Sequence, residues 1–130
     1  VLVNRTGRDL RLMARDTPDR IPAADIDRWT VATLPAHDGE PARIGEIDLG
    51  HTTWEHGGDG DWPIAWIEYR HVTDLPAPRP GVSYVVSHAV AMMRTYQNGD
   101  AGRGDLLVVH RRVRDETGVV VGCRWLARPV

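Results

Sequence analysis

The sequence predicts an α+β domain, a mainly antiparallel sheet of five to seven strands carrying one principal helix at about 88–97. Three observations lead there. Short apolar runs with period-two alternation recur along the chain, one segment combines helical spacing with a capping residue, and glycine- or proline-rich breaks of hairpin type separate the runs. At 130 residues the chain has the length of one domain, 1–130, able to bury one core.

Val1–Asn4 and Asp9–Met13 are short runs around Arg5-Thr-Gly-Arg8, which predicts an opening hairpin. From 16 to 43 the periodicity dissolves into prolines and acids, with one short helical turn expected behind Pro22, so this reads as a long surface excursion. Ile44–Leu49 alternates with Ile47 and Leu49 inward, and Pro63–Arg70 reads the same way. The polar, glycine-rich connection 50–62 between them predicts a hairpin with a long tip. Prolines 76, 78 and 80 hold the next segment extended, and Gly81 turns the chain into a strand over Val82–Val86. Ser87 then ends the strand and caps a helix in which Ala89, Met92, Met93 and Tyr96 share a face and Asn98-Gly99 supplies the stop. Leu106–Val113 and Val119–Leu126 flank Asp115-Glu-Thr-Gly118, a strong hairpin signal. Pairing Asp115 with Val119 places Arg111 opposite Cys123 and Val113 opposite Val121, leaving His110, Arg112, Arg114 and Arg124 on the other face.

Composition narrows the function classes. There is no Lys and no Phe, and all sixteen basic residues are Arg, as codon bias in a GC-rich genome would produce. The formal charge of -2 divides unevenly: residues 1–65 hold seven Arg against twelve acids, and 66–130 hold nine Arg against six. The second half is therefore the anion-friendly one. Nucleic acid is a poor partner for a net-negative chain whose Tyr84 and Tyr96 read as core. No apolar run approaches a membrane span, no secretory signal opens the chain, and Cys123 is alone, so cytoplasmic localisation without disulfides is expected.

Several pieces together resemble a family of small uncharacterised bacterial and phage proteins: Asn4-Arg-Thr6, Leu75-Pro-Ala-Pro78, Tyr84-Val-Val-Ser87, Arg103-Gly-Asp105, Val113-Arg-Asp115 and Gly122-Cys123. The likeness covers the first dozen and roughly the last 60 residues. It departs from the family pattern at Thr6-Gly7-Arg8 and over 16–62, and it implies no activity, cofactor or catalytic residue.

Four sites can be drawn from the residues. The helix start offers Ser87 and the amides of Ala89 and Val90 to an anion, the alternative being an ordinary N-cap. Arg103, Arg112 and Arg124, with Arg114, could converge on the same anion through charge-assisted bonds, or simply form a solvated strand face. His51, His56, Asp59 and Asp61 are weak metal-ligand candidates, since their spacing matches no zinc or calcium motif. Ser87 or Cys123 with His88, His110 or His71 would make a nucleophilic pair, but no glycine elbow surrounds Ser87, and Ser87 and His88 diverge on a helix. The expected function is accordingly a non-enzymatic binding module without cofactor, taking a small anionic, nucleotide-like ligand or a protein partner. The alternative is a phage-type structural or accessory protein with Trp29, Trp54 and Trp62 as interface anchors, a small metal-assisted hydrolase ranks third, and homo-oligomerisation is compatible with each.

Overall fold

A computed structural model describes residues 1–56, 60–98 and 103–129. The elements in chain order are β1 (Leu2–Asn4), β2 (Leu10–Met13), a 3-10 turn (Ala23–Asp25) running into α1 (Ile26–Trp29), β3 (Thr30–Leu34), β4 (Arg43–His56), β5 (Gly60–Thr73), β6 (Ser83–Val85), α2 (His88–Asn98), β7 (Leu106–Arg114) and β8 (Val120–Ala127). Most of the described chain that is regular is strand. Six strands form one sheet in the order β1-β6-β7-β8-β2-β3, and β4 with β5 forms a separate two-stranded ribbon.

The large sheet is mixed, which corrects the expectation of a mainly antiparallel one. β1–β6, β6–β7 and β8–β2 are parallel, while β7–β8 and β2–β3 are antiparallel. The cause lies in β6, whose Tyr84 and Val85, with Val86 just beyond, are all buried. A strand covered on both faces suits a parallel neighbour, and α2 supplies the crossover that parallel β6 and β7 require. The opening hairpin is also absent: β1 pairs with β6, and β2 pairs with β8 and β3.

The segment expected as a surface excursion carries regular structure. Thr30–Leu34 is an edge strand on β2, Thr17 and Ile21 are buried, and Ile21 N–H donates to the Arg114 carbonyl at 2.9 Å while Arg114 N–H donates to that of Asp19. The β4–β5 hairpin runs much further than its sequence suggests, with Thr52 opposite Ile64 and His56 opposite Gly60. Strand-favouring Thr, Ile and Trp positions prevail over the glycine-rich character of the connection. Ile47 and Leu49 are exposed rather than inward because among the described residues the ribbon strands pair only with each other.

Two apolar clusters hold the structure together. Tyr84, Val86, Val90, Ala91, Leu106 and Val108 form the larger, where α2 lies on the sheet, and Met13, Ile21 and Val113 form the smaller. The helix turns Val90 and Ala91 inward, not Ala89 and Met92, which are exposed. In the closing hairpin Asp115 N–H does donate to the Val119 carbonyl, but a bulge beyond Val113 shifts the ladder by one residue, placing Val113 opposite Gly122 and Arg112 opposite Cys123. Arg111 sits at φ 55, a second local irregularity in β7.

Gly122 sits at a tight β8–β2 contact. A Cβ there would stand 2.8 Å from the Arg11 carbonyl oxygen and 3.0 Å from Met13 Sδ, so β8 approaches β2 at a position only glycine can occupy. Gly122→Ala should therefore destabilise the fold by about 2 kcal/mol, the cost of overpacking a filled site. Urea unfolding measures this, and an unchanged midpoint would show that the β2–β8 contact is looser than described.

Candidate functional site

The chain leaving β1 is shaped by two buried side chains. Asn4 Oδ1 accepts from Thr6 N–H at 3.0 Å and from the Thr6 hydroxyl at 2.6 Å, while Asn4 Nδ2 donates to the carbonyls of Arg8 at 2.5 Å and Leu34 at 3.0 Å. Gly7 completes the turn at φ +85, against Pro41. Arg5 reaches the other way. Its Nη2 donates to the carbonyls of Glu40 and Asp74, and its Nη1 donates to His37 Nδ1 at 2.7 Å. Because Gly39 N–H also donates to that nitrogen, His37 Nδ1 is an unprotonated acceptor.

This turn brings Thr6 to the start of α2, where two clefts meet at Ser87. The first, of about 740 Å³, is a groove between α2 and the ribbon base, lined by Thr6, Ser87, Ala89, Met93, Glu46 and Tyr69 among others. The second, of about 470 Å³, lies over the β2–β8 contact and is lined by Thr6, Arg8, Arg11, Ser87, Arg112 and Cys123 among others. Among the described residues Arg8, Arg11 and Arg112 form no salt bridge. Asp9 also borders this cleft, and its Oδ1 accepts from Ala36 N–H at 2.8 Å.

The residues singled out from the sequence separate here. Ser87 Oγ accepts from Val90 N–H at 3.2 Å, so it caps the helix and the Val90 amide is committed to that cap; the Val90 side chain is buried in the core. Ala89 borders the first cleft, and Arg112 the second. Arg103 is elsewhere: its guanidinium forms a two-point ion pair with Asp105, donates to the Pro76 carbonyl at 2.6 Å and lies over the Tyr84 ring. Arg124 is bound to Asp19 and to the Thr17 carbonyl, and Arg114 to the Gly118 carbonyl. The expected convergence of Arg103, Arg112 and Arg124 does not form, because two of the three hold loops in place.

Arg8 and Arg11 were not anticipated. Their signal is Asn4-Arg-Thr6 followed by glycine, a side-chain-directed turn rather than a hairpin tip.

The remaining candidates are dispersed. His51 is exposed on β4 opposite Ala65, His56 and Asp61 lie at the far end of the ribbon, and Asp59 and Gly99 fall outside the described residues. Among the described residues no group of three or more His, Cys, Asp or Glu is placed to hold a metal ion. His88 Nε2 donates to the Val109 carbonyl at 3.1 Å, which ties it to β7 rather than to Ser87. Cys123 is buried, and desolvation raises its thiol above the ordinary range despite the His110 backbone and Arg112 nearby. A thiol so placed is a poor nucleophile. Trp29 packs on the smaller core cluster, Trp62 is exposed on the ribbon, and Trp54 is its register partner.

Comparison with known protein families, with curated proteins and with solved structures finds no match. Among the described residues no helix is long and apolar enough to cross a membrane.

Between two glycines in a polar stretch, Arg103 reads from the sequence as a surface position, yet its guanidinium is paired. As a surface loop residue it would tolerate truncation, but with a side chain 9% exposed and paired to Asp105, Arg103→Ala leaves a partly buried carboxylate without its partner. A loss of about 3 kcal/mol is expected on thermal or urea unfolding. A loss below about 0.5 kcal/mol, the usual surface value, would contradict the pairing.

Proposed function

We propose that this chain is a binding module for a small anionic ligand, held in the cleft between the Thr6–Arg11 turn, the start of α2 and β7–β8. One observation supports this above the others: Arg8, Arg11 and Arg112, without salt bridges to described residues, border one cleft of about 470 Å³ that also contains the helix start at Ser87. Three arginines against one carboxylate, Asp9, bordering a cleft that also holds a helix N-terminus favour phosphate or carboxylate through charge-assisted bonds and the helix dipole. Arg103, paired with Asp105, and Arg124, paired with Asp19, line neither cleft and are not part of the proposed site. A second reading, an interaction protein, is favoured by the exposed Trp62, Ile64, Trp66 and Tyr69 of β5.

The reading is checked by calorimetry with inorganic phosphate, pyrophosphate and nucleoside mono- and diphosphates. Arg112→Ala and Arg8→Ala should each weaken binding by about 10- to 100-fold, equivalent to ~1.5–3 kcal/mol for a hydrogen bond to a charged group. Affinity should fall with added salt. A wild-type protein that takes up none of these anions, or an Arg112→Ala variant that binds them as tightly, contradicts the proposal.

A further inference from the structure

The two clefts that meet at the start of α2 differ in chemistry. Arg8, Arg11 and Arg112 border the smaller one against a single carboxylate, Asp9. The larger groove is lined along α2 by Ala89, Met92 and Met93 and along the ribbon by Ile44, Glu46 and Tyr69. Its walls are mostly aliphatic, thioether and aromatic, and they are open to a ligand, since Met92 is 60% exposed and Tyr69 55%. Two of the described residues lining it are charged. Arg43 is paired with Glu40, whereas Glu46 forms no salt bridge among the described residues.

Thr6 and Ser87 line both clefts, so the two are continuous across the end of the turn. Donors cluster at this junction. Ser87 Oγ accepts from Val90 N–H, which leaves its hydroxyl proton to donate, and the amides of His88 and Ala89 lie in the first helical turn, where no carbonyl of the helix reaches them. From Ser87 to Met93 the helix rises about 9 Å. A ligand anchored by an anionic group near Ser87 therefore has room to lay a sugar and a ring along α2, against an apolar wall with few polar groups, the usual make-up of a small-molecule site.

We propose, resting on the anion reading of the smaller cleft, that the ligand is a 5′-nucleotide with an amino-bearing base. Its phosphate lies among Arg8, Arg11 and Arg112, its sugar passes Thr6 and Ser87, and its base lies in the groove against Tyr69 and Met93 with its amino group donating to Glu46. Separation of charge favours this class: the cationic cleft suits an anion at one end, and the unpaired Glu46 carboxylate suits an N–H donor at the other. An acyl chain would instead bury that carboxylate against hydrocarbon, which costs free energy. An aromatic ring stacks on tyrosine and makes favourable contacts with methionine sulfur. Glu46 and Tyr69 are register partners on neighbouring strands, so one ring can touch both. Guanine fits best, because its ring N–H and amino N–H stand side by side and reach both carboxylate oxygens, as a guanidinium does.

Calorimetry with pyrophosphate, ribose 5-phosphate, inosine monophosphate and guanosine monophosphate separates this claim from the one it rests on. Guanosine monophosphate should bind at least about tenfold more tightly than ribose 5-phosphate, and more tightly than inosine monophosphate, which lacks the amino group. Glu46→Ala should abolish the preference for guanosine over inosine monophosphate, and Tyr69→Ala should weaken both nucleotides. Neither should change the affinity for ribose 5-phosphate. Both positions are exposed, and circular dichroism verifies that the variants fold. Pyrophosphate binding with guanosine monophosphate no tighter than ribose 5-phosphate, or a guanosine preference that survives Glu46→Ala, overturns the nucleotide assignment and leaves the anion cleft standing. Absence of binding by all four overturns both.

Discussion

Asn4 is buried where β1 ends, and its amide makes four hydrogen bonds that no apolar side chain could replace. Two of them fold the following residues back as a turn, one fixes the Arg8 carbonyl, and one holds the end of β3 through Leu34. Each such bond contributes about 1 kcal/mol net, and a lost partner costs more because the remaining group stays buried. The constraint is directional as well as energetic. With the turn fixed, β1 enters the sheet beside β6 while β2 leaves toward β8, so the two opening strands end up on opposite sides of β6, β7 and β8.

Arg5 extends the same anchor across the molecule. Its guanidinium binds the 37–40 segment and the Asp74 carbonyl at the exit of β5, with Asp74 itself at φ 60 so that its carbonyl faces inward. Two successive residues, Asn4 at the end of β1 and Arg5 just after it, therefore fix the turn that borders the proposed anion cleft and the entry to and exit from the ribbon. Arg5 Nε is buried without a hydrogen-bond partner, a cost the other three contacts of the guanidinium offset.

Local chemistry in the sequence was largely legible, whereas pairing partners were not. The α2 helix and its Ser87 cap follow from spacing and from a hydroxyl at the strand end, and the closing loop follows from Asp115-Glu-Thr-Gly118. Strand neighbours depend on contacts far apart in sequence. The buried run Val82–Val86, followed by a helix and then β7, is a strand-helix-strand pattern that signals a parallel pair, but the surrounding hairpins mask it. A single bulge shifts the β7–β8 register, and within the shifted ladder Gly122 packs against Arg11 and Met13, more than a hundred residues away in the chain. The arginines teach the same point: Arg103 and Arg124 look identical to Arg112 in sequence, and only the positions of Asp105 and Asp19 separate a structural guanidinium from an open one.

The central claim is that the Asn4-directed turn, the α2 start and β7 form one anion-binding cleft. It is tested most directly by amide and arginine Nε correlation spectra recorded during titration with pyrophosphate. The account predicts saturable shifts confined to Thr6–Arg11, Ser87–Ala89 and Arg112, with Arg103 and Arg124 unmoved. Shifts centred on Arg103 or Arg124, or spread weakly over all exposed arginines, would contradict it.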